Sequence, residues 1–221
     1  GTKSVARVTA RVAGLLGRMS ERYRPRLACI ACNTASTIAL GMVREVLEIP
    51  VVGTVPAIKP AAALTRTGVI GLLGTEATVR QNYVDDLERA HAAGKTLLRH
   101  AAPELVTLAE ARLRGEAVPP EAVRRAVSGL LDHPRAAEID TVVLACTHFP
   151  LLREELTALL GPDVTLVDGA QGIARRIAAL TEGQAFERRE PDLAVTTGSL
   201  DEFLALAPYL RELGLTRIEK F

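Results

Sequence analysis

Short apolar runs alternate with amphipathic stretches along almost the whole chain, and this alternation limits the fold more than any other feature. Runs of strand length lie at residues 26–30, 50–53, 68–73, 141–145, 164–167 and 193–196. Between them the apolar positions take helical spacing. In the first such stretch Val5, Val8, Val12, Leu15, Leu16 and Met19 share a face, with Arg7, Arg11 and Arg18 largely off it. Further helices are expected over residues 36–47, 104–113, 121–131, 151–160, 173–180 and 201–213. Another should begin near Thr75 and Thr78, whose hydroxyls suit a helix start. Strands alternating with helices predict an α/β fold of mainly parallel sheets flanked by helices. Parallel sheets bind ligands beyond the C-terminal ends of their strands, so the chemistry is sought where a strand gives way to a helix.

Composition removes several classes of function. The chain is 48% apolar and 24% charged, which excludes disorder and collagen-like repeats. Its 221 residues can bury a core without staples and suit one to two domains. With 3% aromatics and no Trp, base-stacking platforms are not expected. Lys+Arg 27 against Asp+Glu 26 predicts no broad polyanion-binding surface, hence no nucleic-acid partner. No apolar stretch approaches the roughly 18 residues of a membrane helix, and residues 1–5 do not read as a signal peptide. Three cysteines make no disulfide framework and suit a reducing cytoplasm. His91, His100, His133 and His148 show no H-x-x-x-H or H-E-x-x-H spacing, so no metal is expected. The chain also lacks G-x-G-x-x-G and G-K-[ST] phosphate loops.

One feature is less generic. Leu27-Ala28-Cys29-Ile30-Ala31-Cys32-Asn33-Thr34 is similar to Val142-Val143-Leu144-Ala145-Cys146-Thr147-His148. Each is an apolar strand ending in Cys, then polar residues, then a helix, and eighteen residues after each Cys comes the next strand. Cys29 lies within its strand and reads as a small buried hydrophobe. A redox or zinc role for Cys29-x-x-Cys32 is disfavoured, because residues i and i+3 of a strand face opposite ways. Cys32 and Cys146 sit instead at strand-to-helix handovers, where helix-start amides favour a thiolate and can hold a carboxylate. Two thiols facing each other across a flat carbon could take a proton from one face and deliver one to the other. Asn33, Thr34, Thr147 and His148 would hold the substrate and tune the thiols. A competing chemistry makes Cys146 a nucleophile with His148 as base, but it leaves Cys32 and the internal likeness without a role.

Residues 31–36 (Ala-Cys-Asn-Thr-Ala-Ser) and 145–152 (Ala-Cys-Thr-His-Phe-Pro-Leu-Leu) resemble the paired signatures of bacterial glutamate racemases, within the aspartate/glutamate racemase superfamily. Residues 51–61, 71–79, 104–110 and 166–169 resemble further segments of that family, in order and at similar spacing. The resemblance implies interconversion of L- and D-glutamate without pyridoxal phosphate, metal or other cofactor, supplying D-glutamate for peptidoglycan. Cys32 matches the thiol that deprotonates the D-enantiomer, and Cys146 the one that deprotonates the L-enantiomer. Asn33, Thr34, Thr147 and His148 match substrate-contacting positions, with His148 also an acid–base partner of Cys146. Thr75 and Thr78 match hydroxyls near the substrate carboxylate, and Glu110 an acidic residue assisting on the Cys146 side. Asp168 reads as a strand-end cap. The family has two similar domains with the site in the cleft between them, here expected as residues 1–64 plus 186–221 and residues 65–185. Glutamate is the implied small-molecule partner, and a homodimer is admitted.

The family's opening strand and F-D-S-G-x-G-G loop have no counterpart in the sequence. Gly1-Thr2-Lys3-Ser4 resembles the tail of its P-Y-G-x-K-S stretch, with Gly1 as a backbone contact to substrate. The chain thus reads as a form lacking the first segment, with one half-site incomplete. Two other readings stay open: a racemase of aspartate or another acidic amino acid, and a non-catalytic amino-acid-binding form of the fold.

Overall fold

The computed structural model describes residues 4–188 and 190–221. The N-terminal part runs α1 (Val5–Tyr23), β1 (Ala28–Ile30), α2 (Asn33–Val46), β2 (Val51–Gly53) and α3 (Ile58–Leu64). β1 and β2 pair in parallel, Cys29 opposite Val52. α1 and α2 lie together over the sheet: Val12 and Leu16 of α1 pack on a buried cluster of Ile30, Ala39, Val43 and Val51. That covers the face carrying Ile30; on the other face Val52, opposite Cys29, is also buried. Side chains alternate along a strand, so Cys29, next to buried Ile30, falls on the other face and is exposed. The expectation of a buried Cys29 is therefore corrected, because an apolar run alone does not tell which of its side chains the packing covers.

The middle of the chain builds the main sheet. β3 (Val69–Gly74) leads through α4 (Glu76–Val79) and α5 (Asn82–His91) to β4 (Thr96–Ala101). Next come α6 (Glu104–Leu113), α7 (Pro120–Ala126), α8 (Ser128–Leu131) and β5 (Thr141–Leu144). A 3₁₀ turn at Phe149–Leu152 precedes α9 (Arg153–Leu160), β6 (Thr165–Val167) and α10 (Ala170–Leu180). The four strands are parallel in the order β4-β3-β5-β6. Every residue of β3 and β5 is buried, as expected of central strands covered on both faces by helices. One cluster, including Leu73, Leu105, Leu130, Phe149 and Leu156, fills one side. A second, including Ile58, Ile70, Leu72, Val84 and Val143, fills the other. From β3 the chain moves outward to β4, and from β5 it moves the opposite way to β6. The strand order thus reverses between β3 and β5, and the crevice beyond their C-terminal ends is where such a sheet binds ligands.

The starts of these two strands are clamped by one buried carboxylate. Asp140, 8% exposed, accepts hydrogen bonds from Thr65 Oγ1 (2.6 Å), the Arg66 and Thr67 amides (2.6 and 3.0 Å) and Thr141 Oγ1 (3.0 Å). Burial alone would raise its pKa; the four donors overcome that and hold it at about 2.

The C-terminal part runs β7 (Leu193–Thr196), α11 (Leu200–Leu204), α12 (Ala207–Glu212) and β8 (Arg217–Lys220), with β7 and β8 a separate parallel pair. The mixed α/β architecture of parallel sheets flanked by helices is the one expected. Some local expectations differ. The helix over 201–213 is two, since Pro208 at the start of α12 restarts the backbone ladder, and the helix over 121–131 divides at Val127. β4 and β8 were not anticipated: β4 is an edge strand carrying Arg99 and His100 and β8 reads Arg-Ile-Glu-Lys, so neither shows an apolar run. α3 and α5 were also unforeseen.

Candidate active site

The two cysteine motifs meet the sheets in the same way. Cys32 follows β1 and is the N-cap of α2 in extended conformation (φ −154°, ψ 118°), its Sγ accepting from the Ala35 amide at 3.5 Å. An N-cap side chain satisfies an amide that the helix leaves without a partner, and here that side chain is the thiol, which is exposed. Cys146 follows β5, lies 9% exposed and precedes the turn at Phe149–Leu152. It therefore sits beside the point where the main sheet's strand order reverses.

Hydroxyls join the two sides. Thr147 Oγ1 donates to the Ala31 carbonyl at 3.1 Å, linking the residue after one thiol to the residue before the other. Thr34, in the first turn of α2, lies 3.2 Å from Thr75 Oγ1 and 3.1 Å from Thr78 Oγ1, and the latter two are 3.1 Å apart. Thr75 follows β3 and caps α4; Thr78 is fully buried. Asn33 is 5% exposed and its Oδ1 has no hydrogen-bond partner. A buried acceptor left unpaired costs about 1–3 kcal/mol, which marks it as a group suited to a ligand donor.

Cys146 has titratable company. His148 Nδ1 lies 3.9 Å from Cys146 Sγ, and Nε2 lies 2.9 Å from Glu110 Oε1. Glu110 projects from α6, and its other oxygen accepts from Arg114 Nη2 at 3.2 Å. The contact with Cys146 raises the His148 pKa most; burial opposes it, Glu110 adds to it, and the outcome is about 9. At neutral pH His148 is thus an imidazolium, a positive charge 3.9 Å from the Cys146 sulfur.

Thr34, Thr75 and Thr78 are joined by their hydroxyls, Thr147 bonds the residue before Cys32, and Cys146, His148 and Glu110 form a second chain of contacts. Gly1 lies outside the described residues. Asp168 is not part of the group: Oδ1 accepts from the Ala170 amide at the start of α10, and Oδ2 from Arg153. Sequence reasoning did not single out Ser36, four residues past Cys32, or Arg114, four past Glu110, although both spacings place side chains on one helix face. Among the described residues no three His, Cys, Asp or Glu side chains converge in a way that could hold a metal ion. No described helix is long and apolar enough to cross a membrane. A surface cavity of about 550 Å³ between α6 and α7, lined by His100, Glu104, Thr107, Leu108 and Arg125 among others, includes none of the predicted residues.

The profile of the family described as Asp/Glu/hydantoin racemase matches residues 1–177. Glutamate racemase of Sphingopyxis alaskensis is 64% identical over 214 residues, which are 95% of this chain and 80% of that protein. Glutamate racemase of Salmonella typhimurium is 43% identical over 226 aligned positions, covering all of this chain and 78% of that one. Among solved structures, Escherichia coli glutamate racemase in complex with L-glutamate and the activator UDP-MurNAc-ala superposes with a TM-score of 0.93 at 41% identity. The match covers 100% of this chain and 83% of that one.

Proposed function

The chain belongs to the Asp/Glu/hydantoin racemase family, and on that premise we propose that it interconverts L- and D-glutamate by proton transfer between two thiols at Cα. The observation that carries the mechanism is that the two strand-end cysteines stand beside hydroxyl contacts joining their segments, Thr147 bridging to Ala31 and Thr34 to Thr75 and Thr78. From the D-enantiomer, the Cys32 thiolate takes the Cα proton and becomes a thiol, leaving a carbanion whose charge spreads into the adjacent carboxylate. The Cys146 thiol then gives its proton to the opposite face and becomes a thiolate. The L-enantiomer runs the sequence backwards, and exchange with water resets the two sulfurs. His148, held by Glu110, provides the positive charge beside Cys146 while that sulfur is a thiolate. Asn33 Oδ1 is an acceptor for the substrate ammonium, and the threonine hydroxyls are donors for its carboxylates.

The same reading takes residues 1–64 plus 186–221 and residues 65–185 as two halves around the site. It assigns D-glutamate to peptidoglycan synthesis and the setting to the cytoplasm. The test is racemisation of L-glutamate in heavy water. The D-product should carry deuterium at Cα, Cys32→Ser should abolish its formation with the fold retained, and a product free of deuterium would overturn the mechanism. A panel of amino acids read by chiral chromatography checks the substrate: preference for aspartate would replace glutamate in the proposal.

A further inference from the structure

Ser36 is buried, 3% exposed, and its hydroxyl makes two contacts that no helix needs. It donates to the Ile30 carbonyl at the end of β1 (3.1 Å) and accepts from the Thr54 amide just past β2 (3.1 Å). Its own amide donates to the Cys32 carbonyl at 2.9 Å. One side chain therefore ties the ends of both strands to the first turn of the helix that Cys32 caps. Gly53 makes room for this: a Cβ there would stand 3.0 Å from Ser36 Oγ and 2.6 Å from Leu40 Cδ2.

The second half does without such a tie. The residue four past Cys146 is Pro150, which has neither hydroxyl nor amide proton. There β5 is paired on both sides, with β3 and β6, and the Ala145 amide extends the ladder to the Leu73 carbonyl at 2.7 Å. The central strand fixes its own end. β1 pairs in parallel with β2, and the Ser36 hydroxyl bonds the backbone at the ends of both.

We propose that Ser36 is a positioning residue for Cys32, its hydroxyl setting the angle at which β1 hands over to α2 and so where the Cys32 sulfur stands. The proposal rests on the reading of Cys32 as the thiol on the D-face, and the test separates the two. Ser36→Ala removes the hydroxyl, and Ser36→Thr keeps it.

The first readout needs no activity: alkylation of each cysteine by iodoacetamide at neutral pH, resolved by mass spectrometry. In Ser36→Ala the Cys32 rate should change by about threefold, a barrier difference of about 0.65 kcal/mol, while the exposed Cys29 keeps its rate. Ser36→Thr should return Cys32 to the parent rate. The second readout is the substrate isotope effect with Cα-deuterated glutamate. A misplaced Cys32 raises only the barrier on its own side of the carbanion, so the effect should grow for the D-enantiomer and shrink for the L-enantiomer. Loss of folded protein moves neither. An unchanged Cys32 alkylation rate in Ser36→Ala, or two isotope effects that move together, would overturn the proposal. A parent protein that does not racemise glutamate would refute the functional reading instead, and alkylation would then decide the role of Ser36.

Discussion

Asp140→Asn removes one negative charge from the clamp at the start of β3 and β5 with almost no change of shape. The carboxylate faces two backbone amides and two hydroxyls. The hydroxyls bond Oδ1 and can turn to accept from an Asn amide there, and the backbone amides, which already share Oδ2, keep it as the Asn carbonyl oxygen. What is lost is the charge-assisted part of the hydrogen bonding. Its size follows from the titration: moving the carboxyl from its ordinary 3.8 to about 2, at about 1.4 kcal/mol per pH unit, is worth roughly 2–3 kcal/mol. Because the folded value is depressed, this contribution is complete above the unfolded value of 3.8 and lost as pH falls towards about 2. Urea denaturation of parent and variant, extrapolated to water across a pH series, should therefore show a gap of roughly 2–3 kcal/mol at neutral pH. The gap should close on acidification. At neutral pH the thermal midpoint of the variant should lie roughly 5–10 °C lower. The Arg66 guanidinium, 3.8 Å away but 79% exposed, should contribute little, as surface ion pairs do. A gap below about 0.5 kcal/mol at neutral pH, within the range of ordinary surface substitutions, would refute the reasoning. So would a gap that stays constant down to acid pH.

Two further outcomes follow from particular contacts. The raised His148 value means its proton stays until about pH 9. The stabilisation that comes with it is present below the ordinary 6.5 and is lost as pH rises through about 9. In Glu110→Gln a neutral amide faces Nε2, so an NMR titration of the His148 ring should show a lower midpoint and the alkaline fall of racemisation should move down with it; an unmoved midpoint would remove Glu110 from the site. Gly129→Ala replaces an exposed helical glycine, where Ala gains about 1 kcal/mol from backbone propensity alone. The added Cβ would stand 2.5 Å from His100 Nδ1, in a ring whose Nε2 lies 2.9 Å from the Ala126 carbonyl. The clash should make the variant less stable by about 1–3 kcal/mol, and a stabilised variant in thermal melts would show the ring free to move.

Period and position along the chain determined a good deal. The alternation of apolar runs with helical faces specified an α/β chain, because a run buried on both faces has to be a central parallel strand and an amphipathic stretch has to cover it. β3 and β5 are such runs, and α6 occupies the expected residues 104–113. The handovers at Cys32 and Cys146 were visible for the same reason: each falls where one period stops and the other starts. Tertiary structure decided the rest. β4 and β8 escaped notice because an edge or short strand needs no apolar run, and Cys29 is exposed although its run is apolar, since packing decides which side chains of a run are covered. The contacts that make a site join residues far apart in sequence: His148 to Glu110, Thr34 to Thr75 and Thr78, and Thr147 to Ala31 across 116 positions. A sequence period reports the faces of one element, whereas a hydrogen bond needs two atoms within about 3 Å. That closeness is set only when the elements pack.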